Sequence, residues 1–437
     1  MLREEEKLTS GNELIAELEW RGLIAQTTNR EELIARLDQG PISFYCGYDP
    51  TAPSLHVGNL VVLLVMRRMQ MAGHKPFPLV GGATGLIGDP SGRNEERSLN
   101  SSEIVAEWVS RLAAQLSKFL NFDGSSNAAV MVNNLDWTQG ISALEFLRDI
   151  GKHFSVNNML SKDSVSNRLE SGGISYTEFS YQVLQGLDFL ELFRRNGVEM
   201  QIGGSDQWGN IVAGLDLIRR VENGSGFVIT VPLLTKSDGS KFGKTASGAV
   251  WLDPTMTSPY AFYQYWLNSD DADMEKLLKV FSFKSRNEIE SLLVAHSENP
   301  GLRAAQRALA QELTTLVYSE KQMLDVEEAS RALFGQGDIY SLSQEVLEGA
   351  LSQLPRVEIS RDTLVDDKLP AWIDLCFESG IVKSKTDARR IVRDGGAHLN
   401  NNKVTDETFT PTTQDLLHNR FLLIRKGKKD LAAVVVN

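Results

Sequence analysis

Apolar residues at Leu14, Ile15, Leu18, Leu33, Ile34 and Leu37 recur at helical spacing and predict helix over residues 12–38. Ile42 to Tyr48 then reads as a strand, and Asp49-Pro50-Thr51 as the turn that follows it. Leu60 to Met71 is apolar on almost every side, the pattern of a buried helix, and Gly73 ends it. Phe77 to Val80 predicts a second strand leading into the glycine-rich run Gly81-Gly82-Ala83-Thr84-Gly85. Asn100 with Glu103 reads as a capping box that opens a helix to about Leu120, and Val130 to Asn133 as another short strand. Strands alternating with helices predict an α/β domain built on a doubly wound parallel sheet. Its ligand is expected at the carboxyl ends of the strands, where the glycine-rich turns fall.

Beyond Pro259 the pattern changes. To Gly335 it is almost wholly helical, with Leu277, Leu278, Val280, Ile289, Leu292, Leu293, Leu309, Leu313 and Leu316 as expected core. Residues 336–368 are more polar and read as a linker. Trp372 to Phe377 and Thr386 to Arg393 read as two helices. The turn Gly395-Gly396 follows, then short strands around His398-Leu399, Val404 and Phe421–Ile424. Three domains are expected: α/β over 1–258, α-helical over 259–345, and a linker with a small α+β domain over 346–437.

Composition narrows the picture. The 437 residues carry a net charge of −12, which argues against a nucleic-acid partner if taken as an average. From Ala371 onward, however, eleven Lys/Arg stand against eight Asp/Glu, leaving −15 for the remainder. An acidic body with a mildly basic tail suits a protein that grips RNA locally. Lys385, Arg389 and Arg393 share one face of the second tail helix and are the candidate RNA-binding residues, a solvated face being the plain alternative. No apolar stretch reaches the ~20 residues of a membrane span, and Met1-Leu2-Arg3-Glu4-Glu5-Glu6 is not a signal peptide, so no membrane partner is expected. Two distant cysteines, Cys46 and Cys376, point to a reducing cytoplasm. With no HExxH or CxxC spacing, no protein-bound structural metal is expected.

Two short segments carry the chemistry. His56-Val57-Gly58-Asn59 opens the buried helix, and Lys241-Phe242-Gly243-Lys244-Thr245 lies in a loop with Gly239. His56 and Asn59 fall on one face at a helix amino end, whose partial positive charge favours phosphate. Gly58 leaves room for a nucleotide against the backbone. Two lysines on a glycine-bearing loop can close over phosphates as charge builds on them, and open again afterwards.

Order and context make these two segments resemble the HIGH and KMSKS motifs of class I aminoacyl-tRNA synthetases, and their surroundings resemble the tyrosyl-tRNA synthetase family. Phe44–Ala52 is similar to the family's first catalytic strand, Gly85–Gly92 to its amino-group loop, Tyr181–Asp188 to its substrate helix, and Gly203–Asn210 to its ribose-binding turn. The tail is similar to a small RNA-binding fold of a ribosomal small-subunit protein. The resemblance implies a Rossmann-like catalytic domain with ATP as substrate, Mg2+ accompanying the nucleotide, tRNA(Tyr) as partner, and a homodimer formed through an insertion around residues 130–160. It implies that Tyr45 and Asp188 hold a phenolic hydroxyl, and that Asp89, Tyr181 and Gln185 hold an α-ammonium with Gln207 near the carboxylate. Cys46, Gly47, Asp49, Gly58, Gly204 and Asp206 are implied to contact the nucleotide. Thr51, Lys241, Lys244 and Thr245 would sit at the phosphates with His56 and Asn59, and Arg93 and Arg97 would supply cations to pyrophosphate. Asn59 stands where HIGH ends in histidine, Phe242-Gly243 replaces Met-Ser of KMSKS, Thr245 replaces its final serine, and Arg93 replaces an expected lysine.

Burying an unpartnered polar group costs ~1–3 kcal/mol, so such a pocket would reject phenylalanine. The rival readings are a tryptophanyl synthetase, an inactive synthetase-like RNA-binding protein, and a pantothenate-synthetase-like ligase. The Tyr45–Asp188 pair and the tail speak against the first, the intact His56, Lys241, Lys244 and Asp89 against the second, and the tail against the third.

Overall fold

In the computed structural model of the chain, the described residues are 10–91, 99–245, 248–427 and 430–437, with the side chains of 163, 164, 167, 171 and 245 excepted. The chain divides into two compact units, one running to Asp253 and including Ser269–Ala305, the other made of Pro254–Asn268 and Gln306–Asn437.

The first unit is built on a six-stranded sheet: β1 (Gln26–Thr27), β2 (Ser43–Tyr48), β3 (Lys75–Val80), β4 (Val132–Asn133), β5 (Val198–Gly204) and β6 (Phe227–Val231). The spatial order is β1-β6-β5-β2-β3-β4, with β1 antiparallel on β6 and every other pair parallel. The expected doubly wound sheet is therefore present. Its switch point lies between β2 and β5, which puts the residues after Tyr48 and Gly204 at the mouth of one crevice.

Several sequence expectations shift by a few residues, each for a local reason. Residues 12–38 form two helices, α1 (Gly11–Trp20) and α2 (Arg30–Asp38), because Gly22 takes φ +70° and the chain between them pairs as β1. The next helix, α3 (Val57–Met71), starts three residues before Leu60 because His56 caps it. The expected box at Asn100 is displaced by one residue: Ser101 caps α4 (Ser102–Leu116) by accepting from the Ile104 amide.

The second unit packs helices Pro259–Leu267, Glu320–Leu333 and Gln344–Leu351 with a five-stranded sheet. That sheet corrects the linker reading of 336–368. Arg356–Ile359 is a strand, parallel to Asp430–Val436 at the sheet edge, preceded by the Gln344–Leu351 helix. A half-exposed edge strand lacks the apolar run that marks a central one. The two tail helices are Trp372–Glu378 and Lys385–Arg393, and Trp372, Leu375, Cys376, Ala388, Leu422, Ile424 and Val434 share the tail's core.

Candidate active site

The amino end of α3 and the lysine loop meet. His56 is the N-cap: its Nδ1 accepts from the Gly58 amide at 3.0 Å, and Asn59 Oδ1 accepts from the His56 amide at 3.0 Å. This closed box uses the two motif residues in place of Ser and Glu. A Cβ on Gly58 would lie 2.7 Å from His56 Cε1, so only glycine leaves the ring where it is. Val57 N donates to Val250 O at 2.9 Å and Leu252 N to Leu55 O at 2.8 Å, with His56 and Trp251 as bridge partners. Val250 N donates in turn to Gly243 O at 3.0 Å. Main chain thus stitches the two motifs together across almost two hundred residues. Gly243, at φ +79°, sits with its Cβ direction 3.4 Å from Gly58 N. The imidazole of His56 is held below its ordinary value by burial and by the Lys244 charge. Lys241, Lys244 and Thr51 are exposed. Thr245 continues the strand of Lys244 with its side chain outside the described residues, and Arg93 and Arg97 lie outside them altogether.

A second cluster is buried beside this cleft. Side chains along a strand alternate between faces, so Tyr45 and Cys46 on β2 go opposite ways. Tyr45 packs on Phe189 of the long helix Tyr176–Asn196, with ring centroids 5.3 Å apart. Tyr48, on the Cys46 side, meets Met66 of α3 at 3.3 Å. The Cys46 thiol is buried and pushed up to about 12 by desolvation.

Tyr181, Gln185 and Asp188 share the inner face of the long helix, as their spacing predicts. Asp188 is 3% exposed. Its Oδ2 accepts from Asn134 Nδ2 at 3.0 Å and its Oδ1 from Trp137 Nε1 at 2.9 Å. Burial raises its carboxyl to about 7, against the lowering effect of those two donors. The Asn134 amide also donates to Thr84 Oγ1 at 2.9 Å, Thr84 donates to Asp49 Oδ1 at 2.6 Å, and Tyr181 donates to Asp49 Oδ2 at 2.7 Å. A continuous polar chain therefore runs from Trp137 to Tyr181. Asp49, expected at the nucleotide, is drawn into this chain.

Two polar atoms on the strand and the helix face that form this cluster, Tyr45 Oη and Gln185 Oε1, are buried without a hydrogen-bond partner among the described residues. A buried polar atom without a partner is costly, and a polar ligand seated against these two would satisfy them. The Tyr45 phenol is driven up by burial and by the Asp188 charge.

Asp89 Oδ1 accepts from the Ser91 amide at 2.9 Å and its Oδ2 from Gln207 Nε2 at 2.7 Å, so these two expected residues do meet. Asp206 follows Gly204 at the end of β5, and its carboxyl is raised by partial burial and by the Asp89 charge. Gly47 is exposed beside the crevice at the end of β2. The sequence gives Asn134, Trp137, Thr84 and Asn210 no site role of their own. Each bonds a partner distant in the chain except for Asn210 with Gln207, so no spacing rule exposes them.

In the tail, the basic face is already engaged in part. Lys385 Nζ lies 2.6 Å from Asp374 and Arg393 Nε 2.6 Å from Glu407, while Arg389 is exposed.

With this geometry in view, the chain compares as follows with known proteins. The family described as "tRNA synthetases class I (W and Y)" matches residues 37–335, and the "Tyrosine--tRNA ligase SYY-like C-terminal domain" matches residues 345–434. The tyrosine–tRNA ligase of Streptomyces avermitilis is 57% identical over 97% of this chain and 99% of its own, and that of Thermobifida fusca is 53% identical over the same shares. A C-terminally truncated mitochondrial tyrosyl-tRNA synthetase of Aspergillus nidulans, solved by crystallography, superposes with a TM-score of 0.66 at 32% identity. It covers 74% of this chain and 94% of its own.

Proposed function

We propose how the residues divide the work in a chain that belongs to the tyrosine–tRNA ligase family of class I synthetases. The enzyme activates L-tyrosine with ATP to tyrosyl-AMP and pyrophosphate, then transfers the tyrosyl group to the 3′ end of tRNA(Tyr). The single observation that carries the residue assignment is the meeting of the α3 amino end with the Lys241–Lys244 loop beside a buried cluster holding orphaned polar atoms.

In this reading the phenol of the substrate donates to Asp188, and Tyr45 Oη completes its bonds. Asp89, Tyr181 and Gln185 hold the ammonium, and Gln207 stands near the carboxylate. Asp49 supports Tyr181 through their 2.7 Å hydrogen bond. Cys46, Gly47, Gly58, Gly204 and Asp206 face the nucleoside. His56, Asn59, Thr51, Lys241, Lys244 and Thr245 face the phosphates, with Arg93 and Arg97 supplying further cations. ATP arrives with Mg2+, which counts as part of the substrate. As the tyrosine carboxylate attacks the α-phosphate, charge passes to the departing pyrophosphate. Preorganised donors at the α3 amino end and the loop lysines stabilise that charge, with no acid or base required of the protein. His56, kept neutral by burial and by Lys244, serves as a hydrogen-bond donor.

We assign residues 1–258 to catalysis, 259–345 to the anticodon side, and 346–437 to RNA binding, with Lys385, Arg389 and Arg393 on the contact face. A homodimer fits the insertion, where Leu144 is 80% and Leu147 51% exposed. Trp137, in the same stretch, instead serves Asp188. A cytoplasmic setting fits the two unpaired cysteines. Pyrophosphate exchange measured across the amino acids tests the assignment: tyrosine alone should support it, and exchange driven by tryptophan would overturn it. Sedimentation tests the dimer, which a monomer at every concentration would refute.

A further inference from the structure

We infer that Arg21 and Arg68 are positioning residues for the lysine loop. Their buried guanidiniums converge on the carbonyl of Ser282 and so fix the helix on which that loop rests. The inference builds on the reading of the loop given above.

The loop touches the helix Met274–Phe281 at three places. Phe242 stacks on Phe281 with ring centroids 5.4 Å apart and planes at 30°. Lys276 Nζ donates to Thr235 O at 2.7 Å. Ser237 Oγ reaches Asp273, the N-cap of that helix, at 3.4 Å. The positions of Lys241 and Lys244, on either side of Phe242 and Gly243, therefore depend on this helix as well as on the main-chain bond from Val250 to Gly243.

What holds the helix is unusual. Its last-turn carbonyls, Lys279 O among them, carry the negative end of the helix dipole, and the chain leaves the helix at Ser282 in an extended conformation. Arg68 Nη2 donates to Ser282 O at 2.6 Å, and Arg21 Nη1 donates to the same oxygen at 2.7 Å. Arg21 adds bonds to Lys279 O at 3.0 Å and Lys284 O at 2.8 Å, and is balanced by Glu17 at 2.7 Å. Arg68 lies 4.3 Å from the centroid of the Phe283 ring. Arg21 and Arg68 are 6% and 8% exposed and Ser282 is fully buried. A buried guanidinium is tolerated only where its N–H groups are satisfied, and its rigid fork fixes direction as an apolar contact cannot.

Arg68 stands in the last turn of α3, the helix that His56 caps. One rod of about 18 Å, at 1.5 Å per residue, thus carries a phosphate-facing group at its amino end and the anchor of the loop's support near its other end. Any tilt of the support against α3 would move the lysines relative to His56. A lysine at position 68 keeps the charge but loses the fork, and methionine keeps only the volume.

Tyrosine-dependent pyrophosphate exchange by the full-length enzyme tests this. Arg68→Met should lower kcat about 10- to 100-fold, the scale of a misplaced catalytic group. Its KM for tyrosine should stay within about twofold, because the tyrosine cluster does not touch this support. Arg68→Lys should recover part of kcat. A folded Arg68→Met enzyme with unchanged kcat, or one whose tyrosine KM climbs with the loss of kcat, overturns the inference. If Arg68→Met does not fold, Phe281→Leu decides, since it removes the ring under Phe242 and leaves both guanidiniums in place. Loss of kcat at constant tyrosine KM then supports the support-helix role, and normal kcat overturns it. Absence of tyrosine-dependent exchange in the unsubstituted enzyme would instead count against the proposed function itself.

Discussion

The two ends of the proposed active site are held by different means. At the phenol end, side-chain hydrogen bonds run unbroken from Trp137 through Asp188, Asn134, Thr84 and Asp49 to Tyr181. At the phosphate end, the lysines are exposed and are located by main chain, by glycines and by one aromatic stack. Discrimination between amino acids needs polar groups that cannot relax around the wrong ligand, which a buried and satisfied network supplies. Charge stabilisation during adenylation needs groups that can arrive and leave with the triphosphate, which an exposed loop supplies. Substitutions at the two ends should therefore separate turnover from tyrosine binding.

The largest effect is expected at the loop. Lys244→Ala should slow pyrophosphate exchange about 10²- to 10³-fold, the scale of one lost oxyanion donor, with tyrosine affinity in equilibrium dialysis unchanged. A matching loss of tyrosine affinity would break the contrast. At the other end, Asn134→Ala removes a donor to buried Asp188. The expected penalty is ~1–3 kcal/mol, roughly 5- to 150-fold in tyrosine KM, with kcat at saturation largely kept.

The pH dependence sharpens the same contrast. Asp188 is raised from an ordinary 3.8 to about 7, so near neutrality it is partly protonated in the free enzyme. The substrate phenol donates to the carboxylate, so tyrosine should bind about tenfold more weakly for each pH unit below 7. Stability runs the other way. A carboxyl held more protonated in the folded state contributes stability that is full below about 4 and is lost as pH rises through about 7. Asp188→Asn should flatten both curves, and a titration of tyrosine binding that stays level from pH 6 to 8 would refute a phenol-binding carboxyl raised to about 7. The smallest effect belongs to the tail. Arg389→Ala should raise the KM for tRNA about two- to threefold and leave exchange untouched. Lys385→Ala and Arg393→Ala should do less, because exposed ion pairs with Asp374 and Glu407 already hold those side chains.

What could be read along the chain was whatever is encoded at short range. The alternation of apolar runs and glycine turns specified the parallel sheet around β2 and β3. The three-residue spacing of His56 and Asn59 specified a shared helix end, and the spacing of Tyr181, Gln185 and Asp188 a single helical face. The edge strand Arg356–Ile359 escaped because an edge strand need not be apolar.

Only the folded chain decided which of these short-range units face one another. Asn134 finds Asp188 54 residues away, and Arg68 finds Ser282 across 214. Hydrogen bonds of that reach depend on how helices pack against a sheet, and neither periodicity nor residue type records it. Local geometry is set by neighbours in the chain, and a site made of distant neighbours exists only once burial has forced their polar groups to find each other.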